Sequence, residues 1–464
     1  MTAALLFGQI AFAESAEAPR PPDVLLIIAE DLKACLGCYG NPIVQTPNLD
    51  ALAAQGVRFD RAYCQFPLCN PSRSSLLTGL RPETTRVFGN TIDWNGPLKG
   101  LTTLPEHFRS HGYETVRVSK IFHAGNQGRV FDDSARWERI IPSNQGLPKP
   151  GRAARPGRFL YEDASAEQRQ KNYDMRAWKW GPSGLDDMEM ADGMTAEQAV
   201  RELSRKHDRP LFFAVGFHCP HLSLVAPDQY FAMYPPEKIP LPANPPNDLD
   251  DVPGSYSLAN QERFTPEKER EAIAAYYACV SYMDACVGRV LGALKETGRD
   301  KNTIVVFLGD HGFHLGEHFL WQKMTLFEES ARVCLILSAP NMRNKGAVCE
   351  RLVEFVDLFP TLAELCGLEI PPGLEGTSMK ALLDSPDRPW KKAAFTMLGG
   401  KGRSVRTERW RYTEWGSPPK AELYDHESDP GEFVNRAADG AWAEVAAELS
   451  QLLRKGWRAA LPPR

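Results

Sequence analysis

The sequence has little basic charge to spare, few cysteines and, after its first residues, no long apolar run. Lys and Arg number 54 against 59 Asp and Glu, a formal net charge of -5. That balance argues against a nucleic-acid-binding protein, which needs surplus cations to neutralise phosphates. An anionic substrate would have to meet local positive charge or a metal. Ten cysteines in 464 residues are too sparse for a disulfide scaffold. Cys35 and Cys38 form a C-x-x-C, but no second pair and no nearby histidines complete a zinc site, so burial or one local disulfide is expected there. Cys279 and Cys286 sit at heptad spacing and read as core. Beyond the start, no stretch reaches the roughly 18 apolar residues that span a membrane, so no membrane span is expected. Internal repeats are absent as well.

What is present is the composition of a folded globular chain, 43% hydrophobic and 24% charged, and its length allows a large core. The 37 prolines and 36 glycines favour many loops over a helical bundle. Residues 1–13 read as the apolar part of a signal peptide, with Ala11-Phe12-Ala13 as a cleavage site, although a basic leading segment is missing. A periplasmic or secreted location is therefore expected.

Several apolar runs end on polar residues. Residues 23–29 end at Glu30-Asp31, residues 303–309 at Asp310-His311, residues 210–215 near His218, and residues 333–337 at Ser338. Such runs suit parallel strands buried on both faces. Helical patterns alternate with them: Thr195-x-x-Gln198 reads as a capping box opening a helix through Leu203, residues 268–294 keep helical periodicity, and residues 360–366 form a helix ended by Gly367. The expectation is an α/β fold with a mostly parallel central sheet flanked by helices, whose ligands gather at the carboxyl ends of the strands. Residues 131–193 read as long loops over that face. After about residue 384 the texture changes to short strands over 404–415 and 421–424 and an amphipathic helix over 444–457. This predicts a main domain over 20–384 and a small C-terminal α+β subdomain, with a short antiparallel sheet and a helix, over 385–464.

The most informative segment runs Leu68-Cys69-Asn70-Pro71-Ser72-Arg73 to Leu77-Thr78-Gly79-Leu80-Arg81. Pro71 suits the first turn of a helix, and Gly79 with Pro82 ends it. Cys69 then lies at the helix N-terminus, where free N–H groups favour an anion. Arg73, one turn on, adds positive charge on the same face. A thiol placed there is expected to have a lowered pKa and to be a nucleophile candidate.

C-x-P-S-R followed by L-T-G-x-R resembles the signature of the type I, formylglycine-dependent sulfatases, a branch of the alkaline-phosphatase-like superfamily. Further stretches from Arg20 onward are most similar to the iduronate 2-sulfatases, among them Arg81-Pro-Glu-Thr-Thr-Arg86, residues 214–221 and 310–318, and Glu422-Leu-Tyr-Asp425. The resemblance implies that a maturation enzyme converts Cys69 to formylglycine, whose hydrated aldehyde attacks sulfur and later releases sulfate by collapse. It implies metal ligation by Glu30, Asp31, Asp310 and His311 with Cys69 at the metal, Ca²⁺ being favoured and Mg²⁺ the alternative. Family members usually carry Asp-Asp where this chain has Glu30-Asp31. Lys120 would hold the sulfate, His123 would bond the formylglycine hydroxyl, His221 would contact sulfate and donate a proton to the leaving alcohol, and Lys323 would sit near the bridging oxygen. Arg73 completes the catalytic set. His314 and His318 are left structural and His218 stands behind the site. A sulfated sugar, such as a 2-O-sulfated uronic acid, is the implied substrate. Lys33 would meet its carboxylate, and Asn90, Trp94 and Phe313 are candidate pocket walls. Two alternatives stay open: a phosphodiester or phosphonate monoester hydrolase on the same scaffold, and an inactive glycan-binding protein.

Overall fold

Residues 24–29, Val-Leu-Leu-Ile-Ile-Ala, offer water no polar side chain, so a strand made of them must be covered on both faces. The computed structural model describes residues 20–125, 131, 133–145, 158–159, 179–253, 264–400 and 402–462, and in it this run is β1 (Asp23–Ala29), buried throughout. The elements that frame the site follow in chain order: α1 (Pro47–Gln55), β2 (Val57–Phe59), α2 (Cys69–Thr78), β3 (Glu114–Ser119), β4 (Arg139–Ile141), α3 (Ala191–Leu203), β5 (Leu211–Phe217), α4 (Pro266–Glu296), β6 (Thr303–Gly309), β7 (Leu335–Ser338), β8 (Ala347–Cys349) and α5 (Leu358–Leu365).

Eight strands form one sheet in the order β8-β2-β7-β6-β1-β5-β3-β4. Strand β7 is antiparallel to both neighbours, and every other adjacent pair is parallel. Successive side chains of β1 point to opposite faces. Leu25, Ile27 and Ala29 join α1, α3 and α4 in one core, while Val24, Leu26 and Ile28 join α2 and α5 in another. The result is a three-layer α/β/α body of the expected class.

The C-terminal part adds β9 (Ala394–Leu398), β10 (Gly402–Arg406), β11 (Trp410–Trp415) and β12 (Lys420–Asp425), an antiparallel sheet in sequence order, and α6 (Ala443–Lys455). Leu449 and Leu453 of α6 pack on Val405, Tyr412 and Leu423. A buried network ties this part to the body: Arg81 bonds Glu354 bidentately at 2.7 Å, and Lys391 reaches Glu354 and Asp357 at 2.9 and 2.5 Å.

Some local expectations fail. Helix α3 starts at Ala191, ahead of Thr195, whose hydroxyl instead donates to the Ala191 carbonyl at 2.9 Å. A capping box does precede it, from Asp186 to Glu189. The run 333–337 splits at Cys334: Arg332–Val333 pairs with Ala62–Tyr63, and only β7 enters the main sheet. All ten cysteines are free, so Cys35 and Cys38 form no disulfide. Among the described residues no helix is long and apolar enough to cross a membrane. The segment 1–13 and about half of 131–193 lie outside the described residues, and the described part of 131–193 includes the strands Arg139–Ile141 and Lys179–Pro182 as well as loops.

Candidate active site

Register brings the polar strand ends together. Ala29 of β1 pairs with Gly309 of β6 on one side and Phe217 of β5 on the other, and Ser119 of β3 pairs with Gly216. The residues that follow, Glu30-Asp31, Asp310-His311, His218 to His221 and Lys120, therefore emerge along one edge. Gly216 is required for this: a Cβ there would stand 1.8 Å from the Lys120 carbonyl oxygen. Asp31 takes up φ +58, a costly conformation for a residue with a side chain. It is held by its amide, which donates to Asp310 Oδ1 at 2.9 Å, and by its carbonyl, which accepts from the Tyr276 hydroxyl at 2.7 Å.

Helix α2 brings the nucleophile candidate to the same place. It begins at Cys69 and ends on Gly79 at φ +66. Cys69 Sγ lies 3.3 Å from Lys323 Nζ, 3.4 Å from His311 Nε2 and 3.8 Å from Asp31 Oδ1. Arg73, fully buried, donates to Asp310 Oδ2 at 2.8 Å and to the carbonyls of Ile121 and Lys120 at 2.8 and 3.0 Å, while its Nη2 bonds nothing. Ser72 anchors the Asp310 carbonyl at 2.5 Å.

The donor set fits a hard divalent cation. Ligand atoms of Glu30, Asp31, Cys69 and His221 lie within 4.8 Å of one another, as do those of Cys69, Asp310 and His311. Glu30 Oε2 is buried and accepts no hydrogen bond, although His218 Nδ1 is 3.1 Å away. Three carboxylates and an imidazole suit Ca²⁺ or Mg²⁺. Lys120 is paired with Glu30, and Lys323 reaches Asp31 Oδ1 at 2.5 Å.

Burial and charge set the protonation states. Burial pushes the Cys69 thiol up to about 12, with Asp310 and Asp31 adding to the rise and Lys323 and Arg73 opposing it. This overturns the expected low thiol pKa: desolvation and two carboxylates outweigh the helix terminus and both cations. Burial pushes Lys120 down to about 8 against the pull of Asp310. It takes His221 down to about 4 and, with the charges of Lys120, Arg73 and Lys323, His123 down to about 3. Both ring nitrogens of His123 are buried without a hydrogen bond. For Lys323, the carboxylates and Cys69 outweigh desolvation and hold it as an ammonium.

The pocket-wall candidates fare differently. Trp94 is fully buried, stacked on Phe122, and donates to the His123 carbonyl at 3.0 Å. Phe313 is fully buried against Tyr276. Both side chains are closed to solvent and pack behind site residues. Asn90 accepts from the Asn70 amide at 3.0 Å and so caps the helix that carries Cys69. The Lys33 ammonium is committed to Glu317 rather than left for a substrate carboxylate. Sequence reasoning missed Tyr276, Ser72 and Asp192, whose carboxylate accepts from the amides of His218 and Cys219 at 2.9 and 2.7 Å. Asp192 was discoverable from its place in the first turn of a helix.

The sulfatase family model matches residues 22–368. The chain belongs to the sulfatase family. A second model, N-sulphoglucosamine sulphohydrolase C-terminal, matches residues 316–458. A sulfatase of Formosa agariphila is 33% identical over 450 residues, covering 94% of this chain and 86% of the relative. Mouse iduronate 2-sulfatase is 31% identical over 527 residues, covering 92% and 93%. Among solved structures, a phosphonate monoester hydrolase from Silicibacter pomeroyi superposes with a TM-score of 0.78 at 25% identity, over 95% of this chain and 96% of that one. This sulfatase is thus a type I sulfuric ester hydrolase with the alkaline-phosphatase-like fold.

Proposed function

We propose that this sulfatase releases sulfate from a sulfated saccharide, a 2-O-sulfated uronic acid first among them, using formylglycine made from Cys69 and a divalent metal, Ca²⁺ before Mg²⁺, held by Glu30, Asp31, Asp310 and His311. The observation that carries this reading is the convergence of those ligand side chains on Cys69 Sγ, with Arg73, Lys120 and Lys323 around them. The modified residue would supply a hydrated-aldehyde nucleophile and the metal a Lewis acid for the sulfuryl oxygens. The thiol of Cys69, raised to about 12, is a poor nucleophile at neutral pH, which fits a residue that acts after conversion.

The chain's own groups divide the remaining work. Arg73 fixes the Asp310 carboxylate and leaves Nη2 available to a sulfate oxygen. Lys120 and Lys323 add positive charge where negative charge grows in the transition state. Lys323, held as an ammonium, is the group able to hold a proton at the leaving oxygen. His221, taken down to about 4 with Nδ1 facing the Leu222 carbonyl at 2.7 Å, is neutral and suited to contact sulfate rather than to donate the proton. His123, held neutral and with both ring nitrogens unbonded, is suited to accept a hydrogen bond from a hydroxyl on residue 69. The uronic-acid preference is supported by the similarity to mouse iduronate 2-sulfatase. Maturation by a formylglycine-generating enzyme and export to the periplasm or medium complete the reading.

Hydrolysis of phosphonate monoesters is the second reading, favoured by the Silicibacter pomeroyi neighbour. Turnover of 4-nitrophenyl sulfate, 4-nitrophenyl phenylphosphonate and a panel of sulfated mono- and disaccharides decides between them, with residue 69 checked by mass. Sulfate esters, and 2-O-sulfated uronates among the sugars, are expected to give the highest kcat/KM. A larger kcat/KM for the phosphonate would sink the proposal.

A further inference from the structure

Residues 30–33 make a tight turn just past β1, and its backbone is held from several distant parts of the chain. Asp31, at φ +58, occupies a region that side chains disfavour, so the turn persists only where its surroundings over-determine it. The Glu30 amide donates to the Phe217 carbonyl at 3.1 Å, and the Asp31 amide to Asp310 Oδ1 at 2.9 Å. The Lys33 carbonyl accepts from the Cys35 amide at 2.8 Å and from Cys334 Sγ at 3.3 Å. One atom then serves two further groups. The Tyr276 hydroxyl donates to the Asp31 carbonyl at 2.7 Å and accepts from the Lys33 amide at 3.0 Å.

Tyr276 is not itself a ligand candidate. It lies on α4, fully buried, with its ring stacked on Phe313 at 5.4 Å and 22°. Phe313 follows His311 by two residues. One side chain of α4 thus touches both segments that carry metal-ligand candidates, the Glu30-Asp31 turn through its oxygen and the Asp310-His311 segment through its ring. A cation must hold the Asp31 and Asp310 carboxylates together against their mutual repulsion. A turn clamped beforehand leaves less of that ordering to the binding step.

The same helix carries its own control. Tyr282, also fully buried, accepts from the Gly193 amide at 2.7 Å and donates to the Asp187 carbonyl at 3.0 Å. Both tyrosines fasten a loop to α4 through one amide and one carbonyl. Tyr282 holds the start of α3, whereas Tyr276 holds the turn that presents Glu30 and Asp31.

We propose, resting on the metal site put forward above, that Tyr276 is a positioning residue for the cation. Its hydroxyl fixes the Glu30-Asp31 turn before the cation arrives, and so sets the affinity of the site.

The test measures the Ca²⁺ dissociation constant of the EDTA-stripped full-length protein, by competition with a chromogenic chelator, for wild type, Tyr276→Phe, Tyr282→Phe and Asp310→Asn. Tyr276→Phe removes one oxygen and keeps the ring. It is expected to weaken Ca²⁺ binding about tenfold or more, the scale of losing a partner that orients a ligand from behind. Tyr282→Phe loses two bonds of the same kind but orients no ligand, and is expected to stay within about twofold of wild type. Excess CaCl₂ should restore kcat of Tyr276→Phe on 4-nitrophenyl sulfate to within about twofold of wild type by mass action. A hydroxyl that only stabilises the fold would lower Tm in both tyrosine variants and leave both dissociation constants alone. An unchanged constant in Tyr276→Phe, or an equal loss in Tyr282→Phe, therefore overturns the proposal while the metal site stands. A wild type that binds no Ca²⁺, or an Asp310→Asn variant that binds it equally well, overturns the metal site and the proposal with it. Should Tyr276→Phe fail to fold, hydrogen exchange in stripped wild type decides. The amides of Asp31 and Lys33 are expected to exchange at least about tenfold more slowly than in the unfolded chain, and exchange at the unfolded rate until Ca²⁺ is added overturns the proposal.

Discussion

The cluster around Cys69 and the network around Glu354 each bring carboxylates, an arginine and a lysine into the interior, yet they are finished differently. Both oxygens of Glu354 accept hydrogen bonds, from Arg81, Lys391 and the Phe395 amide, and Asp357 likewise accepts from Lys391, Thr377 and Glu354. Around Cys69, by contrast, Glu30 Oε2, Arg73 Nη2 and both nitrogens of His123 are buried and unbonded. A buried polar group left unbonded costs roughly 1–3 kcal/mol. Both carboxylates of the joint between the two parts of the chain are thus saturated, although Arg81 Nε stays unbonded, whereas the unbonded atoms around Cys69 include a carboxylate oxygen and an imidazole, as expected of groups that await a ligand.

Four substitutions would break or sharpen that contrast, the largest first. Cys69→Ala is expected to lower turnover of 4-nitrophenyl sulfate by at least about 10³-fold, since it deletes the nucleophile's precursor, with Tm nearly unchanged. Retained turnover would contradict the role of residue 69. Lys323→Met should cost about 10²-fold or more in kcat, the scale of losing one group that stabilises developing charge. A change confined to KM would assign Lys323 to binding alone.

Glu354→Gln attacks the satisfied network and should act on stability instead. Leaving Arg81 and Lys391 without their partner is expected to cost about 3–5 kcal/mol, measured by urea unfolding, with kcat/KM of the folded fraction unchanged. Burial works against ionisation of Glu354, but Arg81 and Lys391 hold its carboxyl down to about 2, below the ordinary 4.5. Its contribution is therefore complete above about pH 4.5 and lost as pH falls toward 2. The gap between wild type and variant should narrow over that window, and a gap independent of pH would refute the ionic account. The smallest effect is expected for Phe313→Leu: under about 2 kcal/mol in stability and less than a twofold change in KM. A larger KM change would restore Phe313 as a substrate contact.

Much of the site was legible because strands that run parallel and unbroken through a core must end together. The runs 23–29 and 303–309 end on acidic and histidine residues, and the register of β1 with β6 brings those ends side by side. The α2 boundaries were legible from Pro71 and Gly79. Burial of single aromatics was not, because Trp94 and Phe313 carry no mark in the sequence of which way they face. The Thr195 capping pattern misled because Thr195 falls one turn inside the helix, where its hydroxyl donates back to the Ala191 carbonyl, while the capping box that forms, Asp186 to Glu189, opens the short 3-10 turn before it.

By itself the sequence determined the α/β class and the helix that carries Cys69, and it put acidic and histidine residues at the ends of the central strands, since these depend on local periodicity and on residue chemistry. Only the tertiary structure decided that Lys33 is committed to Glu317, that Tyr276 and Asp310 hold Asp31 at positive φ, that Asp192 ties down the His218 loop, and that the Cys69 thiol is raised rather than lowered. Each of these turns on desolvation or on a contact between residues distant in the chain, and neither quantity exists until the layers close around the site.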